Sequence, residues 1–254
     1  MKKSLTLVAF LFVVIQVFQA QTADDVINKY FESVGGIDKW KSLKSMKMTG
    51  NLTMQMGEFQ FTIYRKAPNK FKIVLNIQGQ EIVPQAFDGE TAWMINPFAG
   101  GNGPTKIPED QIQAVKDESE FEDPFINYKA KGYEASYEGT ADVTGTQCNV
   151  VKMIKHKGVE GQEMSSNYYF DMATNLQIMV KQKSAQSMEQ EIEIYLSDYQ
   201  EIPAGLLMPF VMDTQMQGQS VQKLTFTAIT VNEDLPDDIF KFPEEAPVAP
   251  ATTN

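Results

Sequence analysis

The residues best suited to catalysis form an acidic cluster in the middle of the chain: Asp117, Glu118, Glu120, Glu122 and Asp123. Two carboxylates at a suitable separation can hydrolyse a glycosidic bond, one acting as the acid and the other as base or nucleophile. Consecutive acids beside a helix end are more often solvated surface, and the cluster lacks the Asp-x-Asp-x-Asp-Gly spacing of a calcium loop. We therefore expect surface residues here and no enzyme.

Other reactive residue types are scarce. The chain has one histidine, His156, which lies between two lysines, and one cysteine, Cys148, which lies in an apolar run. These cannot assemble the usual zinc or soft-metal site. No serine has nucleophile-elbow spacing, and no Gly-rich segment has the form of a phosphate loop. We expect His156 to be exposed at a strand end, Cys148 to be buried and unreactive, and no metal or cofactor to be bound.

Residues 1–20 have the pattern of a secretory signal peptide. Lys2 and Lys3 precede an apolar run from Leu5 to Val17, and Ala20 is a small residue at the expected cut. The run of about 13 positions is shorter than the roughly 20 that a membrane span needs. The mature chain is expected to begin at Gln21. Because no cysteine lies at the cut, we expect it to be soluble in the periplasm and not lipidated.

The charge of the chain limits its partners. The formal net charge is −11, and it becomes −13 without residues 1–20, which contain two lysines and no acid. Nucleic acid selects basic surfaces, and so does electrostatic docking on anionic lipid. No later segment approaches the length of a membrane span. We therefore predict neither nucleic-acid binding nor stable membrane insertion.

The elements begin with a helix and continue with strands. Helical spacing predicts a helix from Ala23 to Val34, with Thr22 as N-cap and Gly35-Gly36 as the stop. The apolar period then changes from 3.6 to 2, which is typical of a sheet with one buried face. The alternating positions are Met46, Met48, Leu52, Met54 and Met56, then Phe59, Phe61 and Ile63, then Phe71, Ile73, Leu75 and Ile77.

A second helical stretch, from Glu109 to Asn127, interrupts the strands and must lie on the sheet or across its mouth. Further strands are predicted at 133–137, 148–155, 164–170, 176–183, 190–199, 206–214 and 224–231. About eleven antiparallel strands in one sheet must curl strongly or close. We therefore predict one mainly β (α+β) domain over 21–243, followed by a disordered tail over 244–254.

The apolar residues carry the functional prediction. The chain has 14 methionines, many of them on one strand face, and methionine repacks readily around ligands of different shape. A cavity lined in this way suits acyl chains, because each buried methylene contributes about 0.8 kcal/mol. An ordinary core is the alternative interpretation. The residues predicted to line the cavity are Met46, Met48, Leu52, Met54, Phe59, Phe61, Ile63, Phe71, Ile73, Trp93 and Phe210.

Four short motifs add a family resemblance. They are Lys66-Ala67-Pro68-Asn69-Lys70-Phe71, Phe87-Asp88-Gly89-Glu90-Thr91-Ala92-Trp93, Asn96-Pro97-Phe98, and Asp238-Ile239-Phe240-Lys241-Phe242-Pro243. The motifs and the order of elements resemble the LolA family, the periplasmic carriers of outer-membrane lipoproteins. The resemblance implies a strongly curved, incomplete antiparallel β-barrel with an N-terminal helix, a helical lid and a hydrophobic interior for lipid anchors.

The chain departs from the family at the lid. The family has an arginine directly before the proline of its Arg-Pro-Asn motif, and that arginine helps to hold the lid. Ala67 stands there in this chain, and Arg65 lies two positions earlier, on the same strand face. The resemblance therefore implies that Arg65 contacts the lid, together with Ile112 and Val115.

The function implied is a non-catalytic, monomeric carrier that moves acyl chains of lipoproteins or other lipids toward the outer membrane. Membrane-bound proteins would load and unload it. Two alternatives remain open. One is a lipid-sensing regulatory protein of the same fold. The other is a small outer-membrane barrel, which the central helix, the polar tail and the Met-rich single faces disfavour.

Overall fold

The structure is a computed structural model that describes residues 21–95, 103–157, 163–183 and 190–243. The predicted signal peptide, the Asn96-Pro97-Phe98 motif and the predicted tail over 244–254 lie outside the described residues. Within them the chain forms one mainly β structure with few helices. This confirms the predicted fold class.

Three α-helices occur in the described ranges: α1 (Ala23–Ser33), α2 (Ile37–Lys41) and α3 (Ile112–Ser119). A capping box begins α1, because the Asp25 amide donates to Thr22 Oγ1 over 3.2 Å and the Thr22 amide donates to Asp25 Oδ2 over 2.9 Å. The predicted helix and N-cap are therefore confirmed. None of the described helices has the length and apolar content needed to span a membrane.

The second helix is shorter than the predicted stretch from Glu109 to Asn127. A 3₁₀ turn over Glu109–Gln111 precedes α3, and the helix ends at Ser119 because Glu120 has an extended ψ of 116°. Turns follow over residues 124–132; we call residues 120–133 the crossing segment. Its apolar residues continue the helical spacing without continuing the helix, because the backbone is already extended at Glu120, and Pro124 further disfavours helical backbone at Asp123.

Thirteen strands form one curved, open antiparallel sheet in the described residues, against about eleven predicted. The strand order is β6-β5-β4-β3-β2-β1-β13-β12-β11-β10-β9-β8-β7. The strands are β1 (Ser45–Met54), β2 (Gly57–Lys66), β3 (Lys70–Ile77), β4 (Gln80–Phe87), β5 (Ala92–Ile95), β6 (Pro104–Lys106), β7 (Glu134–Val143), β8 (Thr146–Lys157), β9 (Glu163–Asp171), β10 (Gln177–Lys183), β11 (Glu191–Ile202), β12 (Leu206–Met216) and β13 (Gln219–Val231).

The edge strand β7 shows why some strand ends differ from the prediction. It continues to Val143, six residues beyond the predicted end. A register shift between Tyr137 and Gly139, where Gly139 has a φ of 97°, lets a polar stretch go on pairing with β8. Only one side of an edge strand pairs and its exposed positions are polar, so this stretch has little hydrophobic signal.

The register divides the sheet into two faces. Met212 pairs with Leu224, Leu224 with Leu52, and Leu52 with Phe59. Residues paired in this way point to the same side of an antiparallel sheet. We call this side the inner face, because α1 and α3 both pack on it. The opposite side is called the outer face.

The helices cover the inner face unevenly. On β7–β10, α1 packs tightly: the Tyr30 and Phe170 rings lie 5.3 Å apart, and Phe125 of the crossing segment lies 4.7 Å from Tyr168. The half formed by β1–β3, β12 and β13 has a second core, which Leu43, Trp40 and Phe121 contact from above. None of the described helices covers the rest of that half.

Candidate functional site

The uncovered half of the inner face carries a continuous apolar surface. Its side chains are half-buried and come from five adjacent strands, β3, β2, β1, β13 and β12. The register places them in neighbouring rows on one side of the sheet. We call this surface the inner strip, and it consists of Ile73, Leu75, Phe59, Met54, Leu224 and Met212.

Ten of the eleven residues predicted to line a cavity lie on the inner face. Met54, Phe59 and Ile73 belong to the inner strip. The other seven are between 3% and 8% exposed and fill the core beside it: Met46, Met48, Leu52, Phe61, Ile63, Phe71 and Phe210. The end of β1 differs from the alternation predicted for it, because Met56 lies in the β1–β2 turn and is 72% exposed.

Trp93 is not on the inner face, so its prediction as a cavity residue is wrong. Phe87 and Ala92 form a pair on the inner face, and Trp93 pairs with Ala86 at the next position along both strands. Successive side chains of a strand point to opposite faces, so Trp93 lies on the outer face. On the outer face Trp93 is 1% exposed, and its Nε1 donates to the Phe240 carbonyl over 2.8 Å. Trp93 therefore anchors the C-terminal segment to the sheet.

The helix α3, which lies in the predicted lid and which we call the lid, packs on the inner face over β4 and β5. Val115 is 6% exposed and contacts Phe87 and Ala92, with Ile112 beside it. The end of the lid is also tied to the β2–β3 turn, since the Phe121 amide donates to the Pro68 carbonyl over 3.1 Å.

Arg65 holds the end of the lid with polar contacts. Its Nη2 donates to the Glu118 carbonyl over 3.1 Å and also to the Glu120 carbonyl. The guanidinium lies 5.6 Å from the centre of the Phe71 ring, and its buried Nε has no hydrogen-bond partner among the described residues. Burial lowers the pKa of Arg65, against the opposing effect of Glu118 and Glu120. The Arg65 guanidinium is therefore a cation held over the face of an aromatic ring.

The acidic cluster is not all solvated surface, and the prediction is wrong for Glu120 and Asp123. The Glu120 side chain is 18% exposed and forms ion pairs with Lys131 and Lys155. Burial raises its pKa, the two lysines lower it, and the net pKa is below the ordinary value. Asp123 also points inward, where it accepts a hydrogen bond from Tyr30. The acidic run gave no signal of this burial, because its partners are distant in sequence.

Cys148 lies in a small core cluster with Val143 and Met179. Cys148 is fully buried, as predicted, and burial raises the pKa of its thiol to about 11, so the thiolate is scarce at neutral pH. Among the described residues no group of three or more His, Cys, Asp or Glu side chains could hold a metal ion. His156 lies near the end of β8, and its exposure stays a prediction.

Two cavities lie away from the inner strip. One of about 510 Å³ is on the outer face and is lined mainly by polar residues, among them Thr49, Asn51, Thr62 and Asn76. Another of about 450 Å³ lies near Lys106 and Phe242.

The comparisons with known proteins identify the fold. No protein-family profile matches the sequence, and no curated protein is significantly similar to it. A LolA superfamily protein from Nitrosomonas europaea has a similar structure, with 11% identity, a TM-score of 0.56 and coverage of 87% of this chain and 98% of that one. The chain has the LolA-like fold.

Two further structures share this LolA-like fold. A DUF1329 family protein from Desulfovibrio piger has 11% identity and a TM-score of 0.57, and the match covers 86% of this chain and 97% of that one. A putative outer membrane lipoprotein-sorting protein domain from Vibrio parahaemolyticus has 10% identity and a TM-score of 0.54, with coverage of 85% and 94%.

Proposed function

We propose that the protein is a non-catalytic carrier that binds acyl chains of lipids, those of lipoproteins included, on the inner strip. The observation that carries the proposal is the apolar surface that α1 and α3 leave only partly buried on the inner face. A soluble protein seldom keeps a contiguous apolar surface unless it binds something there. Hydrocarbon chains have no polar groups to satisfy, which suits a surface made of methionine, leucine, isoleucine and phenylalanine.

The way the lid is held supports a binding site that can enlarge. Apolar contacts attach α3 at Val115, and hydrogen bonds from Arg65 to two carbonyls hold its end. Such contacts can exchange with water when the lid moves, whereas α1 is fixed by a large aromatic core. Displacement of the lid would expose Phe87 and Ala92, which Val115 contacts, and so extend the apolar surface under α3.

The signal-peptide pattern of residues 1–20 supports a carrier in the periplasm, where it would move its cargo toward the outer membrane as a soluble monomer. Membrane-bound proteins would load and receive the cargo, because acyl chains leave a bilayer slowly without help. One similar structure is named as a putative lipoprotein-sorting domain, which agrees with this direction of transport. The buried carboxylates Glu120 and Asp123 are engaged by lysine and tyrosine partners, which supports a role without a chemical step.

The test is to identify what the protein carries. Protein purified from the periplasm should yield acylated lipids or lipopeptides in organic extracts analysed by mass spectrometry. Met54→Glu places a charge on the inner strip and should abolish both the extractable lipid and the binding of a hydrophobic fluorescent dye, because an unpaired charge beside hydrocarbon is unfavourable.

Thr53→Glu is the matched control for this experiment. Thr53 is the neighbour of Met54 on the exposed outer side of β1, so the same charge should leave binding unchanged. Absence of acylated molecules from the wild-type extract, together with equal dye binding by both variants, would contradict the proposal.

A further inference from the structure

Three cations contact Glu120, the residue that follows the lid helix, in a protein whose formal net charge is −11. Lys155 of β8 contacts Glu120 Oε2 over 3.1 Å, and Lys131 contacts Glu120 Oε1. Arg65 of β2 donates to the Glu120 carbonyl. The side chains of both lysines are only 22% exposed. Glu120 is thus the residue at which cations from widely separated strands meet.

Movement of the lid would take the partners of two of these cations away. Lys131 keeps a second partner, Glu122 of the crossing segment, over 3.1 Å, but Arg65 and Lys155 are fixed on the sheet. Arg65 donates to the carbonyls of Glu118 and Glu120, and Lys155 donates to the carboxylate of Glu120. A partly buried charge that loses its counter-charge is strongly destabilising. Water can solvate both cations when the lid opens, but an anion at this place would stabilise the open lid further, because it would replace the carboxylate that Lys155 loses and the carbonyls that Arg65 loses.

The apolar surface begins directly beside this place. Arg65 lies over the Phe71 ring, and Phe71 belongs to the same cluster as Ile73 and Leu75 of the inner strip. With the lid closed, Arg65 Nε is buried and has no hydrogen-bond acceptor among the described residues. The guanidinium therefore still has one N–H that a ligand could accept from. An arginine fork with such a donor beside an apolar surface matches the two parts of an anionic amphiphile.

We propose that the inner strip takes acyl lipids with an anionic headgroup, and that the headgroup replaces Glu120 between Arg65 and Lys155 when the lid opens. The inference rests on the proposed function and specifies its ligand: a carboxylate or a phosphate attached to hydrocarbon. Glu120 acts as the internal substitute for this headgroup. A ligand without an anionic group would fill the inner strip but would not compensate the two cations.

The test compares three ligands with the same sixteen-carbon chain: hexadecanoic acid, hexadecyl phosphate and hexadecanol. Each displaces the neutral dye N-phenyl-1-naphthylamine from the purified protein. A charge-assisted contact makes an anionic ligand bind about tenfold more tightly than the alcohol. Preference for only the acid or only the phosphate supports the proposal and names the headgroup.

Two lysine variants locate the preference. Lys155→Gln should reduce it to about threefold or less, because one of the two charges is lost, while affinity for hexadecanol stays unchanged. Lys181→Gln is the matched control: Lys181 lies on the outer face of β10 and forms an ion pair with Glu191 over 3.0 Å. This control should keep the wild-type preference.

Glu120→Gln should increase the preference for the anionic ligands over hexadecanol. The substitution removes the carboxylate that competes with the headgroup, and so leaves Arg65 and Lys155 for the ligand. A folding defect cannot increase selectivity for anions, so this variant separates recognition from stability. If the wild type, Lys155→Gln and Glu120→Gln each bind the three ligands equally, the headgroup proposal is overturned and the carrier proposal is not affected. Failure of all three ligands to displace the dye overturns the carrier proposal as well.

Discussion

The Tyr30 hydroxyl donates a hydrogen bond to Asp123 Oδ2 over 3.1 Å, which joins α1 to the crossing segment. The Phe125 amide also donates to this carboxylate, over 2.9 Å. Burial raises the pKa of Asp123 to about 6, and this effect exceeds the lowering by the two hydrogen bonds and by Lys131. The α1 helix is therefore attached through a group that titrates near pH 6.

This pKa makes stability depend on pH in a defined direction. The pKa of Asp123 is about 6 in the folded protein, against 3.8 for an unperturbed aspartate, so the folded state binds the proton more tightly. The resulting stabilisation is present below pH 4 and is lost as pH rises through 6; a shift of this size corresponds to roughly 2–3 kcal/mol. Asp123→Asn resembles the protonated form and should gain that amount relative to wild type between pH 4 and 7.5 in urea unfolding. A difference in unfolding free energy between Asp123→Asn and wild type that stays constant over this pH range would contradict the raised pKa of Asp123.

Met54 and Phe61 should differ in their contribution to stability. Phe61 is 3% exposed, and Phe61→Ala should cost about 3–5 kcal/mol through lost burial and the cavity left behind. Met54 is half-buried on the inner strip, so Met54→Ala should cost less than about 2 kcal/mol. Chemical unfolding of both variants measures this. Equal costs would mean that the inner strip is ordinary core.

Arg65→Lys should loosen the lid without unfolding the sheet. Lysine keeps the charge but is shorter and lacks the rigid, planar guanidinium that places Nη2 between the two carbonyls. We expect amide hydrogen exchange in α3 to become about tenfold faster while the central strands keep their protection.

Lys66 provides the control for this experiment. Lys66 donates to the Leu235 carbonyl over 2.7 Å and pairs with Asp237 over 2.7 Å, which attaches the C-terminal segment to β2. Lys66→Met should therefore accelerate exchange around residues 235–241 and leave α3 unchanged. Faster exchange in α3 with this variant, or unchanged exchange with Arg65→Lys, would contradict the role given to Arg65.

Trp93→Phe tests which face of the sheet Trp93 occupies. The substitution removes the donor to the carbonyl of Phe240, a residue with no exposed surface, and should cost about 1–3 kcal/mol because that carbonyl loses its partner. Affinity for the sixteen-carbon ligands should stay the same, because Trp93 lies on the outer face. Reduced affinity at unchanged stability would return Trp93 to the binding site.

Many local features of this protein could be predicted from its sequence, because neighbouring residues determine them. Thr22 caps α1 through a residue three positions away, and the alternation along β1 and β2 places Met48 and Phe61 on the buried side. Backbone geometry turns such short-range patterns into caps and faces without help from the rest of the chain. The strand pattern predicted the mainly β class, and the resemblance of the short motifs added the LolA-like architecture.

The surroundings of several side chains depended on the tertiary structure. Glu120 resembles its acidic neighbours in sequence, and its burial depends on Lys155, 35 positions away, and on Arg65, 55 positions away. Trp93 continues an apolar run in the sequence, but the strand pairing turns it to the outer face, where the C-terminal segment covers it. Strand register and the path of a crossing segment are long-range properties, and a shift of one residue reverses the side on which a residue lies.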